Sequence, residues 1–478
     1  MDTFPEFIAS AQVARLIPAI SDSNKERRAA SILLAVLATV DEYRSVMFAT
    51  LGQRVGTKSR IDCYTEVEFK KNPPDSKLRP DGLVIVTFGK KQWCALVEAK
   101  IGRAELDVEQ VKQYLQLAKL NNIDALVTIS NQFAALPTHH PIHLQKSVVR
   151  GVELYHWSWM FALTQATLIL TAGEHLSKEQ GYILSEVVEY FKHPSTGVSS
   201  FDRMNPEWKD LVTKIHSGAR PSRSSPEVEI SVGSWHQEQR DLCLIMSRRL
   251  GRQVNVKLSR AHGQDPVLRL KDDCDDLIKQ AALFCTLEIP NAAAPMVIEA
   301  NVERRTVSCS MRLAAPQDKK KTSARVNWLI RQLTRCDAKN VFIKAYWPGR
   351  APTTQHTLSE IRNDITCIDS GAGDMTAQSF EIIMVQDLAG KLAGPKTFIE
   401  KVELAVPEYY EQIGQHLRAW IPTPPKLEKS DPVKKQPDPP VAPVTPENLN
   451  PIASLGSETA GQQYSDGAQD NDGSEIPD

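Results

Sequence analysis

Apolar residues in the first part of the chain form two kinds of segment, one typical of strands and one typical of helices. Four short apolar segments have the length and composition of strands: residues 60–70, 83–86, 93–97 and 123–130. Two longer segments carry apolar residues at helical spacing: residues 26–48 and 108–118. The pattern therefore predicts a helix, three strands, a helix and a strand in chain order, which is a mixed α/β domain.

Further periodic segments extend this first domain. They predict a strand over 148–157 and helices over 159–171 and 177–191, so we place the domain at residues 1–195. Residues 217–226 are rich in Ser, Arg and Pro, and the whole segment 196–226 is predicted to be a linker.

The second half of the chain predicts an α+β domain over residues 227–421, followed by a tail. Its strand candidates include residues 228–232, 296–301, 340–347 and 381–387, and its helix candidates include residues 236–250, 272–283 and 323–336. Residues 422–478 are Pro-rich and then rich in Ser, Gly, Gln and Asp, without a periodic apolar pattern. Such a composition cannot bury a core, so we expect this tail to be disordered.

Two acidic residues and a lysine lie at the ends of neighbouring strand segments. Asp81 precedes one segment, and Glu98 and Lys100 follow the next. Because side chains alternate along a strand, Glu98 and Lys100 point to the same face. If the two segments pair as a hairpin, all three side chains meet at one open end of the sheet. Carboxylates gathered in this way suit a hard divalent cation, and the lysine can orient an attacking water or help to deprotonate it.

These residues resemble the PD-(D/E)xK nuclease superfamily. Its Pro-Asp dyad matches Pro80-Asp81, and its Asp/Glu-x-Lys tripeptide matches Glu98-Ala99-Lys100, with sixteen residues between Asp81 and Glu98. The helix segment that follows carries Gln110 and Tyr114 four residues apart, which resemble the Gln-x-x-x-Tyr element of RecB-type members. The tripeptide alone recurs by chance in charged proteins, so the likeness depends on the order of these motifs and of the elements around them.

The resemblance implies a restriction-endonuclease-like αβββαβ core and a metal site. Asp81, Glu98 and the carbonyl of Ala99 would hold Mg²⁺, for which Mn²⁺ could substitute. Lys100 would position a water for in-line attack on phosphorus.

Four other residues are further candidates for the site. Gln110 would orient the catalytic lysine or the water, and Tyr114 would contact the nucleic-acid backbone. Some superfamily members add a helix carboxylate to the metal site, and the candidate here is Glu42 in the first helix segment. Glu66, on the strand segment before Asp81, could approach the metal instead.

Composition sets the compartment and leaves the substrate class open. The 478 residues are 41% hydrophobic and carry a formal net charge of −1, which does not exclude nucleic acid because the charge is unevenly distributed. Eight cysteines occur without a Cys-x-x-Cys pair, which indicates reduced core residues rather than a zinc site. No segment has the pattern of a signal peptide or of a membrane span, so we expect a cytoplasmic protein that does not enter a membrane.

We predict that the protein is a metal-dependent nuclease with DNA rather than RNA as its substrate. The predicted role is bacterial defence against foreign DNA or repair. The alternative is a catalytically inactive protein of the same fold that binds nucleic acid or serves as a scaffold. The second domain is a candidate surface for a protein partner or for oligomerisation.

A basic run in the second domain has two interpretations. It comprises Lys319, Lys320 and Lys321, then Arg325, Arg331 and Arg335, with Lys344, Tyr346, Trp347 and Arg350 beyond. The run could follow a phosphate backbone and stack on bases, or it could be an ordinary solvated helix face.

Overall fold

The computed structural model describes residues 4–422 apart from short gaps. The gaps are residues 22–23, 57–58, 74–77, 103, 133–139, 143, 174–175, 224, 370–372 and 374. The tail predicted over 422–478 lies outside the described residues except for Pro422. Two sheets with their helices build the described part of the chain, which confirms the mixed α/β class.

The first sheet has its strands in chain order. They are β1 (Ile8–Val13), β2 (Arg60–Phe69), β3 (Gly82–Phe88), β4 (Lys91–Ala99), β5 (Ala125–Ser130) and β6 (Glu153–Ser158). Strands β1 to β4 pair antiparallel, whereas β4, β5 and β6 pair parallel. The parallel pairs need crossover segments, and a helix crosses between β4 and β5.

Helices cover both faces of this sheet. They are α1 (Lys25–Thr39), α2 (Asp41–Ala49), α3 (Val108–Leu120), α4 (Lys146–Val149), α5 (Trp159–Ala172) and α6 (Lys178–Lys192). Successive residues of β3 face opposite sides: Val84 and Val86 belong to the core under α1, α2, α5 and α6, whereas Leu83 and Ile85 belong to the core under α3. A sheet buried on both faces explains why its central strands are apolar throughout.

The elements α1, β2, β3, β4, α3 and β5 follow the predicted order, with two local differences. The helix predicted over residues 26–48 is broken at Val40, which has extended backbone angles. A second helix begins directly after it, and Asp41 and Glu42 in its first turn suit the positive end of the helix dipole. The strand predicted over 148–157 begins only at Glu153, after the short helix α4.

The second sheet is antiparallel throughout. Its strands are β7 (Asn255–Val256), β8 (Ala282–Glu288), β9 (Met296–Asn301), β10 (Thr306–Ala314), β11 (Val341–Tyr346), β12 (Thr354–Thr357) and β13 (Ser379–Asp387), in the spatial order β12-β11-β13-β10-β9-β8-β7. Its helices are α7 (Glu207–His216), α8 (Pro226–Leu250), α9 (Arg260–Gln264), α10 (Pro266–Gln280), α11 (Thr322–Ile330), α12 (Leu358–Asn363) and α13 (Pro395–Gln412).

The segment predicted to be a linker, 196–226, contains a folded element. Trp208, Leu211 and Val212 of α7 are buried in the core of the second sheet, and the indole nitrogen of Trp208 donates to the carbonyl of Leu392 at 2.8 Å. The linker prediction was based on the Ser- and Pro-rich residues 217–226 and missed the short apolar pattern of α7, which directly precedes them.

The strand predicted over 228–232 is wrong, because these residues belong to α8. Val228, Val232 and Trp235 are buried at positions i, i+4 and i+7, which is a helical pattern. Pro226 starts the helix at a position where its missing N–H costs nothing. The β-branched residues of the first turn therefore pack into a helical stripe despite their local preference for strands.

Helix α8 also packs on α5 of the first half. Arg248 donates to the hydroxyl of Thr164 at 2.8 Å, and Gln165 donates to the side chain of Gln253 at 2.9 Å.

Among the described residues, no helix combines the length and the apolar character needed to cross a membrane.

Candidate active site

Asp81, Glu98 and Lys100 meet at one end of the β3–β4 hairpin. Gly82 lies opposite Val97 in the register, so Asp81, directly before β3, and Glu98, in β4, lie side by side at this end of the hairpin. The backbone N–H of Ala99 donates to Oδ2 of Asp81 at 2.9 Å, and Nζ of Lys100 donates to Oε1 of Glu98 at 2.5 Å. The structure therefore brings together the residues that the sequence pattern grouped.

The backbone of Lys100 is held on both sides. Its N–H donates to the carbonyl of Ile129 at 2.8 Å, which continues the parallel pairing of β4 with β5. Its carbonyl accepts from the indole nitrogen of Trp159 at 2.8 Å. Trp159 begins α5 and is buried, so the core of the domain fixes the point from which the lysine side chain extends.

Gly82 allows α1 to approach the hairpin next to Asp81. A Cβ atom at Gly82 would lie 2.4 Å from Cδ1 of Leu34 and 3.3 Å from Cβ of Val97. Leu34 is completely buried, so it has little room to withdraw. The glycine that follows the Pro-Asp dyad is therefore explained by packing against α1.

Helix α3 contributes Gln110 and Tyr114 to the same region. Asp107 caps the helix by accepting from the N–H of Gln110 at 2.7 Å. Nε2 of Gln110 donates to the hydroxyl of Tyr114 at 3.3 Å, and this hydroxyl donates to the carbonyl of Arg79 at 3.3 Å. The hydroxyl of Tyr114 also lies close enough to Glu98 to lower the pKa of that carboxyl group. Gln110 thus reaches the carboxylates through Tyr114.

Burial and mutual repulsion make the two carboxyl groups hold protons more tightly than in water. Burial, then Glu98 and Glu26, raise the pKa of Asp81 to about 7, against the opposing N–H of Ala99 and charge of Lys100. Burial also raises the pKa of Glu98, although Lys100 and Tyr114 oppose it. The site therefore favours any added positive charge that can approach both carboxylates.

Lys100 keeps its proton in this environment. Burial acts to lower the pKa of Lys100, but its ion pair with Glu98 outweighs that effect and the pKa is raised above its usual value. The side chain of Lys100 is only 14% exposed. Of the two roles expected for this lysine, orienting a water is therefore favoured over deprotonating it.

Glu26 is a third carboxylate at the site, and the sequence pattern did not single it out. It lies in the first turn of α1, and its Oε1 accepts from the N–H of Ile101 at 3.3 Å. Its charge raises the pKa of both Asp81 and Glu98. The sequence indicated only that Glu26 begins the predicted helix. Its contact beside the tripeptide depends on how α1 packs, which the local sequence does not show.

The additional carboxylates expected from the sequence have other surroundings. Glu66 sits at a positive φ of 54° in β2 and forms ion pairs with Arg27 at 2.8 Å and with Arg79 at 3.2 Å. Two arginines thus already balance its charge. Glu42 lies in the first turn of α2, on the far side of Val40 from the helix that carries Glu26.

The donors present fit a small hard cation with few protein ligands. Asp81 and Glu98 offer carboxylate oxygens with raised pKa values; Asp81 directly precedes β3, and Glu98 lies near the end of β4. Within the described ranges, no group of three or more His, Cys, Asp or Glu side chains has the arrangement of a metal site. A cation here would need backbone or water oxygens as well, which suits Mg²⁺ because it retains several waters.

Comparison with protein-family models, with curated proteins and with solved structures finds no match to this chain. Its function is therefore to be inferred from the residues of the site and their surroundings.

Proposed function

We propose that this protein is a metal-dependent nuclease whose active site is formed by Asp81, Glu98 and Lys100. One observation carries the proposal: a buried and a half-buried carboxyl group, both with raised pKa values, and a protonated lysine converge at one end of a hairpin. Such a grouping is costly for a purely structural role, because each buried charge destabilises the fold unless it is compensated.

The surroundings of the site support the same reading. The elements α1, β2, β3, β4, α3 and β5 follow the order of the core in the PD-(D/E)xK superfamily, which the sequence motifs resemble. The Gln-x-x-x-Tyr pair lies on α3, and its tyrosine contacts Glu98. Motifs that are scattered in the sequence thus lie together around one pair of carboxylates.

Each residue has a chemical task in phosphodiester hydrolysis. Asp81 and Glu98, with the carbonyl of Ala99, would hold Mg²⁺ or Mn²⁺. The metal would supply Lewis acidity at the phosphate and stabilise the charge that develops there. The ammonium group of Lys100 donates hydrogen bonds, so it can hold a water or a phosphate oxygen in line with the scissile bond.

Tyr114 and Glu26 act on the carboxylates rather than on the substrate. The hydroxyl of Tyr114 lies near Glu98 and lowers its pKa, which favours the ionised form that a cation requires. Glu26 adds negative charge beside the pair and raises both pKa values. Together these residues set how readily the site exchanges protons for a metal ion.

A cleavage assay tests the proposal. The wild type, Glu98→Gln and Lys100→Met are incubated with single- and double-stranded DNA and RNA, in Mg²⁺, Mn²⁺ or EDTA. The control is Glu105→Gln, which removes the same charge from an exposed position of the same domain. We expect cleavage, with DNA preferred to RNA, only with metal, and a loss of about 100-fold or more in both site variants but not in the control.

Two results would decide against this function. Cleavage that survives in both site variants would place the activity elsewhere. Metal-independent binding of nucleic acid without cleavage by the wild type would instead favour the alternative, an inactive protein of this fold that binds nucleic acid. A role in defence against foreign DNA or in repair is a prediction from the architecture, a nuclease-like domain joined to a second domain, and a protein partner for that second domain stays a prediction as well.

A further inference from the structure

A cavity of about 640 Å³ lies beside α11 in the second half of the chain. Its lining includes the cationic or titratable side chains Lys319, Arg331, Arg335, His416 and Arg418, together with the indole of Trp328. No Asp or Glu is among its lining residues, all of which belong to the described part of the chain. The volume lies in the range of pockets that bind small molecules.

The cations reach this cavity from three separate segments. Lys319 precedes α11, Arg331 and Arg335 follow it, and Arg418 comes after α13. The partial negative charge of the carbonyls at the C-terminal end of α11 explains the position of Arg331 but not the positions of the other cations. Oε1 of Gln332 accepts from the N–H of Arg418 at 2.6 Å and so holds the third segment against the second. The fold therefore assembles the positive charge instead of dispersing it.

Two neighbouring arginines are used to build the cavity wall. Arg325 donates to the carbonyls of Lys319 at 2.7 Å and of Ala377 at 2.6 Å. Arg362 donates to the carbonyls of Leu333 at 2.7 Å and of Cys336 at 2.9 Å. These bonds fix the loops on either side of α11.

The arginines that line the cavity differ from those two. Within the described residues, the guanidinium groups of Arg331, Arg335 and Arg418 have no hydrogen bond or ion pair to the protein, and all three residues are exposed. Three positive charges at one cavity favour a ligand that carries several negative charges.

A second cavity of similar size has a lining of mixed charge. It has a volume of about 660 Å³, and its lining contains Arg248 and Arg249 together with Glu400 and Glu403. The cavity beside α11 has a similar size but no such carboxylates. Its excess of positive charge is therefore a property of that site and not of the surface in general.

We propose that the cavity beside α11 binds the phosphate groups of a nucleotide unit, with Trp328 stacking on the base. The guanidinium groups match phosphate oxygens in geometry and charge, and the half-buried indole lines the same cavity. The nucleotide unit is either a free nucleotide or part of a nucleic-acid strand, since both present the same groups. The proposal does not depend on cleavage at Asp81 and Glu98.

Binding is measured on the full chain in EDTA, so that no strand is cleaved. The probes are a fluorescent 20-nucleotide oligo(dT) and a fluorescent ATP analogue, followed by anisotropy at several salt concentrations. The test variant replaces Arg331, Arg335 and Arg418 with alanine. The matched control replaces Arg220, Arg252 and Arg304, which are also exposed, with alanine. Both triple variants lose the same charge.

We expect the cavity variant to weaken binding at least about tenfold, while the control stays within about threefold of the wild type. For the oligonucleotide, the slope of log affinity against log salt should fall by about 2, because three contacts each contribute about 0.7. Trp328→Leu should weaken binding by about tenfold and leave this slope unchanged, since stacking releases no counterions. Replacing the same three arginines with lysine should retain most of the slope.

Each outcome is decisive. Loss of oligonucleotide binding identifies a strand as the source of the nucleotide unit, and loss of ATP-analogue binding identifies a free nucleotide. If the wild type binds neither probe, or if the two alanine variants weaken binding equally, the proposal is overturned. Failure of the nuclease assay would leave these binding results unaffected, because they are obtained without metal.

Discussion

Replacing Asp81 with asparagine should stabilise the metal-free protein at pH 8. Burial, followed by Glu98 and Glu26, raises the pKa of this carboxyl group from 3.8 to about 7. The folded chain therefore keeps a proton that the unfolded chain loses near pH 4, so stability falls as the pH rises from about 4 through about 7. Asparagine has no charge to lose, and its side-chain oxygen can still accept from the N–H of Ala99.

The magnitude follows from the size of the pKa change. The difference between 3.8 and about 7 corresponds to about 4 kcal/mol above pH 7. Local relaxation and water entry around an ionised Asp81 reduce this cost, so we expect a gain of about 2 kcal/mol for the variant. For a chain of this length that gain raises the thermal midpoint by about 3 °C. At pH 5 only about a third of the effect should remain.

Thermal unfolding followed by circular dichroism measures the effect, at pH 5 and pH 8 in EDTA and again at pH 8 with excess Mg²⁺ or Mn²⁺. The wild type should gain stability with the metal, because binding to the folded state favours folding, and Asp81→Asn should gain little. Glu105→Gln removes a charge from an exposed site in the same domain and should behave like the wild type throughout.

Three results would refute this reasoning. A variant no more stable than the wild type at pH 8 would mean that Asp81 is not electrostatically strained. A gain that is equal at pH 5 and pH 8 would have another cause, such as altered packing. A metal response that persists in Asp81→Asn would remove this residue from the metal site, whatever its pKa.

Three further substitutions test other parts of the structure by urea unfolding. Glu238 is buried with neither carboxylate oxygen hydrogen-bonded within the described residues, and its pKa is well above the usual value, so Glu238→Gln should stabilise more at pH 8 than at pH 5; equal gains would contradict this. Gly82→Ala should cost about 1–3 kcal/mol by crowding Leu34, and a neutral result would mean that α1 moves freely. Trp159→Phe should cost about 1–3 kcal/mol by removing the donor to the carbonyl of Lys100, and no loss would mean that water replaces it.

The hairpin that carries the candidate site was predictable because its signals are local. Both strands are apolar along their length, and a short polar turn joins them, so the register follows from the turn. That register alone places Asp81 beside Glu98. The Gln110–Tyr114 spacing was equally accessible, because residues four apart share one face of a helix.

Residues that join the site through tertiary packing gave no comparable signal. Glu26 reaches the tripeptide because α1 lies across the sheet, and nothing in its neighbours along the chain indicates that contact. Glu66 carried the signal of a strand residue close to Asp81, yet two arginines pair with it. Proximity in the pattern therefore identified candidates, and only the surrounding charges separate a carboxylate that is balanced from one that is not.

The basic run of the second half shows the same limit for cations. The sequence groups Arg325 with Arg331 and Arg335, but the guanidinium of Arg325 is taken up by two backbone carbonyls. Arg418, more than eighty positions further on, replaces it at the cavity. A count of charges along one helix thus overestimates the number of cations that this segment offers a ligand. It also misses the cations that another segment adds to the same cavity. Which cations remain for a phosphate is decided by the hydrogen bonds that the fold has already made with them, and the paired alanine variants test whether the cations left at this cavity bind it.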